Sequence, residues 1–188
     1  MHNFEIRFIS SNPLKIQEAQ AILAPAGVTV IPVRLKLDEL QTEDPNLLVR
    51  DKLLRAFKRV GRPLFVEHTG LYLAYLNELP GGLTQIFWDK LQADRFSQLF
   101  GNTSDTTTIA RTWIGYTDGR QMQFFHGEIK GCIAATPAGP PDFQWDCVFI
   151  PDNYGKTFAE MGDKKNDISM RRIALDQLAN HLQSVGKA

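Results

Sequence analysis

Phe4 to Ile9 alternates apolar and polar side chains with the two-residue period of a half-buried strand. Ser10, Ser11, Asn12 and Pro13 follow, bringing N-cap chemistry and a proline suited to a first helical turn. A helix is therefore predicted over residues 13–23, with Leu14, Ala19, Ile22 and Leu23 at helical spacing and Pro25 and Gly27 as its stop. A second strand is predicted over 28–35, then a polar, acidic stretch over 36–45. A second helix is expected over 45–60, broken by Gly61-Arg62-Pro63. Leu64-Phe65-Val66 is a short apolar run between turn residues, the pattern of a buried strand. It delivers Glu67, His68, Thr69 and Gly70 at its C-terminal end, where open α/β sheets place their chemistry.

After Leu79-Pro80-Gly81-Gly82 the pattern predicts a helix over 84–100. Residues 106–116 and 121–129 flank Thr117-Asp118-Gly119-Arg120, a hairpin signal because Asp-Gly suits a tight primed turn. A third β stretch around 131–135 ends in a proline-rich loop, and a short strand is expected over 147–150. An irregular polar segment then leads to a terminal helix over 169–185, with Ile173, Leu175, Leu178 and Leu182 apolar. No repeat, low-complexity tract or linker divides the chain, so the expectation is one α/β domain over residues 1–188.

Composition narrows the classes. A hydrophobic fraction of 43% with 22% charged residues excludes intrinsic disorder as the main state of this 188-residue chain. Lys plus Arg and Asp plus Glu both number 21, so no net charge draws the protein to nucleic acid or an anionic membrane. No apolar stretch reaches the roughly 20 residues of a membrane span, and Glu5 and Arg7 stand where a signal peptide would be apolar. Two cysteines, Cys132 and Cys147, are too few for a disulfide framework, and a reduced, cytoplasmic setting is expected.

Four segments carry candidate chemistry. The Ser10–Lys15 junction offers helix N-terminal amides and an ammonium, an anion site in one reading and simple capping in the other. Glu39 and Glu67 are oxygen donors of the kind Mg²⁺ takes beside substrate phosphates, or else solvated surface acids. His68 is a base near neutral pH or a hydrogen-bonded strand residue. Phe143-Gln144-Trp145-Asp146 places two rings beside a carboxylate, suited to stacking a planar heterocycle or to core packing. Lys164 to Arg172 leads cations into the last helix, with Ser169 as its N-cap, or is a solvated charge run.

Taken in order, these segments resemble the inosine triphosphate pyrophosphatase family, and the likeness runs nearly end to end. Phe8 to Lys15 is similar to a Ser/Thr-x-Asn-x-x-Lys signature, and Val66 to Leu71 to an acidic-Asp-Ser/Thr-Gly-Leu segment. Leu79-Pro80-Gly81-Gly82, Phe143 to Asp146 against Phe-Gly-Trp-Asp, Thr157 to Met161 against Thr-x-Ala-Glu-Met, and Lys165 to Arg171 against Lys-Asn-x-x-Ser-His-Arg complete the set. The resemblance implies a mixed, twisted sheet flanked by helices around a central cleft, and a homodimer. It also implies Mg²⁺-dependent hydrolysis of deaminated purine triphosphates to monophosphate and pyrophosphate. Ser10, Asn12, Lys15 and Thr69 would then meet substrate, Lys52 would sit near the phosphates, and Glu39 and Glu67 would serve the metal. Phe143 would stack on the base, Trp145 and Asp146 would shape its pocket, and Lys165, Ser169 and Arg171 would hold and read it. Three positions depart from the pattern: His68 stands at the catalytic Asp, Met170 at a base-reading His, and Gln144 at a Gly. An imidazole accepts a proton but lacks the hard oxygen Mg²⁺ prefers. Losing a donor at Met170 removes on the order of 1 kcal/mol of base recognition. A divergent nucleotide-binding protein with little hydrolysis is the competing reading, and a structural paralogue of an active relative a third.

Overall fold

The computed structural model describes residues 4–185; residues 1–3 and 186–188 of the expected domain lie outside it. Strands β1 (Phe4–Ile9), β2 (Val28–Val33), β3 (Leu64–Leu73), β4 (Thr107–Thr117), β5 (Met122–Ile133) and β6 (Phe149–Pro151) form one sheet in the order β2-β1-β3-β4-β5-β6. β1 runs parallel to β2 and β3, and every pairing from β3 onward is antiparallel, so the sheet is mixed as expected. The helices are α1 (Pro13–Leu23), α2 (Pro45–Val60), α3 (Thr84–Phe100), α4 (Phe158–Met161) and α5 (Met170–Val185).

The helices begin and end where caps dictate. Asn12 Oδ1 accepts from the Leu14 and Lys15 amides at 2.9 and 3.2 Å, and Asp44 caps α2 in the same way ahead of Pro45. Gly61, at φ 61°, closes α2 in the left-handed conformation. α3 is two helical pieces joined at Gln92, whose φ of 54° interrupts the run. Within the polar segment before α5, Thr157 and Glu160 form a capping box that builds the short α4.

Alternation along β3 sorts the layers. Phe65 faces α1 and α5 and stacks on Phe8 with ring centroids 4.4 Å apart, in a core shared with Ile6, Ile114, Leu175 and Leu178. Leu64 and Val66 face the other way, onto Leu48, Val49 and Leu53 of α2. A third cluster joins Leu71, Leu73, Phe96, Phe149 and Phe158 under α3 and α4.

β3 differs most from its expected form. It does not stop at Val66 but continues to Leu73, paired with β4 from Leu64↔Thr117 to Leu73↔Thr108. Residues 67–70 are therefore strand and not a loop. Gly70 lies inside the strand, and only glycine fits there, since a Cβ would lie 2.4 Å from the Gly81 carbonyl oxygen. β2 ends at Val33, two residues early, and β5 absorbs residues 131–133 of the expected third stretch. Cys147 closes a 3₁₀ turn before β6 begins.

Candidate functional site

β1 pairs with β3 only at Arg7↔Leu64 and Phe8↔Phe65, then ends at Ile9, while β3 runs eight residues beyond Phe65. The early end of β1 opens a cleft of about 460 Å³. Ser10, Asn12, Lys15, Glu39, Lys52 and Glu67 line it, joined by Gln85 and Gln144. Lys52 crosses the cleft from α2, pairing with Glu39 and donating to the Glu67 carbonyl oxygen at 2.9 Å. A second cavity of about 420 Å³ lies on the other side of α1, where Leu14, Glu18, Phe143, Asp146 and Lys165 meet. Both volumes suit a small ligand.

The period of two sends neighbours apart. Glu67 and Thr69 point toward α1 and α5, whereas His68 points toward α2, so the adjacent Glu67 and His68 do not form one ligand pair. On the α1 side, Arg171 grips Glu67 with a fork, Nε to Oε2 and Nη2 to Oε1, both at 2.8 Å. Lys15 Nζ adds a contact to Oε1 at 3.2 Å and Thr69 Oγ1 donates to the same oxygen at 2.9 Å. The third Arg171 nitrogen pairs with Glu18, which also holds Lys165 at 2.6 Å, and Lys165 pairs in turn with Asp146. Three cations and three carboxylates thus neutralise one another in the interior. Lys165 Nζ stands 3.8 Å above the Phe143 ring, and the Arg171 guanidinium is 5.4 Å from it.

Burial alone would raise the Glu67 carboxyl, but the charges of Arg171 and Lys15 outweigh it and hold the group below the usual carboxylate range. Glu39 is shifted the same way, burial being overcome by His68 and Lys52. Burial pushes Asp146 up to about 6 despite its lysine partner. Burial also lowers Lys15 and His68, Glu39 opposing the shift in the second case. His68 Nδ1 lies 3.8 Å from Glu39 Oε2, and its Nε2 is buried with no partner among the described residues.

The predicted site residues divide accordingly. Six line the first cleft, and Phe143, Asp146 and Lys165 line the second cavity. Trp145 lies in the core, 4% exposed and edge-on to Phe149 at 5.9 Å. Ser169 is a helix cap, its Oγ accepting from the Arg172 amide at 3.1 Å. Thr69 ties Glu67 to Thr112 across β4. Arg171 is 2% exposed and reaches Glu67 and Glu18; it lines neither cavity. Glu18 escaped notice in the sequence, though its place four residues from both Leu14 and Ile22 puts an acid on the buried stripe of α1. Gln85, in the first turn of α3, carried no signal.

A divalent cation would find a limited donor set. Among the described residues no cluster of three or more His, Cys, Asp or Glu side chains is arranged around one point. Both Glu67 oxygens are taken by cations and a hydroxyl, so Glu67 does not fit a metal in this arrangement. Glu39 fits better, because Lys52 holds only Oε1 and Oε2 faces the His68 imidazole.

The family model described as the Ham1 family matches residues 6–181. The chain is 34% identical over 193 aligned residues to an inosine triphosphate pyrophosphatase of Saccharomyces cerevisiae, covering 97% of this chain and 98% of that protein. It is 30% identical over 179 residues to a dITP/XTP pyrophosphatase of Thermococcus kodakarensis, with 95% and 97% covered. Among solved structures, a HAM1 protein from Coxiella burnetii superposes with a TM-score of 0.81 at 26% identity, over 96% of this chain and 99% of that one.

Proposed function

The chain belongs to the Ham1 family, and from that premise we propose that it hydrolyses a deaminated purine nucleoside triphosphate, such as ITP, dITP or XTP, to the monophosphate and pyrophosphate. One observation carries the reading. A cleft lined by Lys15 and Lys52 adjoins a cavity where Phe143 presents a ring beside Asp146 and Lys165, so a triphosphate and a planar base have separate, neighbouring places. Phosphoryl transfer is assisted mainly by placed cations and donors, which the first cleft supplies.

In this reading Lys15 and Lys52 take the phosphates, with Asn12 and Ser10 shaping the turn beneath them. Phe143 stacks on the base, and Asp146, a carboxyl poised near neutrality, accepts from or donates to its edge. Lys165 holds the base side of the substrate. Arg171, Thr69, Ser169 and Trp145 hold these groups in place. Mg²⁺ is the proposed cofactor, Glu39 is the residue that would hold it, and the ion would neutralise charge on the phosphates. His68 is the proposed proton acceptor. Burial keeps its imidazole neutral, and Glu39 at 3.8 Å stabilises the imidazolium that forms.

The binding-only reading is favoured by one observation, the saturation of Glu67 by Arg171, Lys15 and Thr69. Pyrophosphate release across a panel of nucleoside triphosphates with Mg²⁺ separates the two. Turnover in the wild type that is abolished in both His68→Ala and His68→Asp supports the base role. No release from any nucleotide, with binding retained, would leave the binding protein. We further propose a cytoplasmic homodimer, supported by the family, the balanced charge and the two free cysteines. Sedimentation tests the dimer. No helix among the described residues is long and apolar enough to cross a membrane.

A further inference from the structure

Residues 143 and 144 stand on a boundary. Phe143 lines the cavity assigned to the base, while the next residue, Gln144, lines the cleft assigned to the phosphates. In a nucleotide, what joins base to phosphates is the sugar. Gln144 is therefore at the place along the substrate that the sugar must cross.

The local backbone turns the side chain there. Gln144 has φ 46°, a left-handed conformation that an L-residue with a long side chain adopts only under constraint, and it opens the 3₁₀ turn Gln144–Cys147. Its Nε2 donates to Gln85 Oε1 at 2.7 Å, and Gln85 Nε2 donates to Asp89 Oδ1 at 2.7 Å. The chain of bonds reaches from the 143–146 turn across to the first turns of α3 and holds the amide over the cleft. Among the described residues, Gln144 Oε1 accepts from no donor, so a fixed acceptor is left at the junction of the two cavities.

We infer that Gln144 is a specificity-determining residue that accepts a hydrogen bond from the ribose 2′-hydroxyl, giving the protein a preference for ribonucleoside over 2′-deoxyribonucleoside triphosphates. The inference rests on the nucleotide reading above. A site built to bond a hydroxyl disfavours the analogue lacking it, because the acceptor loses its water without gaining a partner.

The test compares kcat and KM for ITP and dITP in the wild type, Gln144→Ala and Gln144→Gly, the glycine variant relieving the left-handed backbone so that misfolding does not confuse the result. The expected wild-type preference in kcat/KM is about fivefold for ITP, the size of one neutral hydrogen bond. Both variants bring the ratio to about one, with the loss for ITP carried in KM. A wild-type ratio already near one, or a ratio that persists in both variants while the two substrates change together, overturns the inference and leaves Gln144 a structural clasp. Absence of turnover on both nucleotides overturns the pyrophosphatase reading, and this inference with it.

Discussion

Every nitrogen of the Arg171 guanidinium faces a carboxylate, two on Glu67 and one on Glu18, at a position 2% exposed. Taking charges out of water is unfavourable, and mutual attraction compensates only while the set stays complete. Arg171→Met strips Glu67 of its fork and leaves Glu18 with Lys165 alone. The expected loss is about 3–5 kcal/mol of unfolding free energy, read from the denaturant midpoint. Arg171→Lys keeps the charge but cannot fork, so it should recover only part of the loss. The family resemblance marks this arginine, together with Ser169, as a candidate base reader. Its actual partner, Glu67, is 104 residues away, and neither hydrophobic period nor local spacing encodes a contact at that separation.

At the scale of elements, α5 lies against β5 through a glycine. A Cβ on Gly127 would meet the Met170 carbonyl oxygen at 2.3 Å and Ile173 Cβ at 2.7 Å, so the helix backbone touches the strand. Gly127→Ala must push the first turn of α5 outward, and Arg171 with it. The expectation is a destabilisation of about 1–3 kcal/mol, as for overpacked interiors, accompanied by a fall in nucleotide turnover although Gly127 touches neither cavity. Thermal melts and kinetics on one preparation check both. Elements bounded by side-chain chemistry were legible: Asn12 with Pro13 marks the start of α1, and Pro45 and Gly61 mark the ends of α2, where they fall. Strand ends were less so. Nothing in Thr69-Gly70 reveals that β4 supplies partners to Leu73, and missing that continuation hid the opposed directions of Glu67 and His68.

For the whole molecule, buried titratable groups set the response to pH. His68 is held below its unfolded value of 6.5, so its neutral form is favoured in the fold, and stability falls as pH drops from about 6.5 toward the lower folded value. Glu67 is held below 4.5; its contribution is complete above that pH and declines as acid titrates the carboxyl. Asp146, raised to about 6, works the other way and offsets part of the His68 decline below that pH, so denaturation midpoints should fall weakly in the first stage and steeply in the second. His68→Gln should flatten the first, and Glu67→Gln the second. The balance of three buried cations against three carboxylates has one more consequence, in the proton traffic of ligand binding. A nucleotide whose phosphates reach Lys15 and whose base side reaches Lys165 competes with Glu67, Glu18 and Asp146 for the same ammonium groups. Each carboxylate deprived of its lysine becomes more basic and draws a proton or a cation from solution. Asp146, already at about 6, is the first to do so. Calorimetric titration with a triphosphate near pH 7, run without metal in buffers of different ionisation enthalpy, should give apparent heats that rise or fall with the buffer, reporting net proton uptake. Identical heats in all buffers would mean that the phosphates settle without breaking any of these pairs.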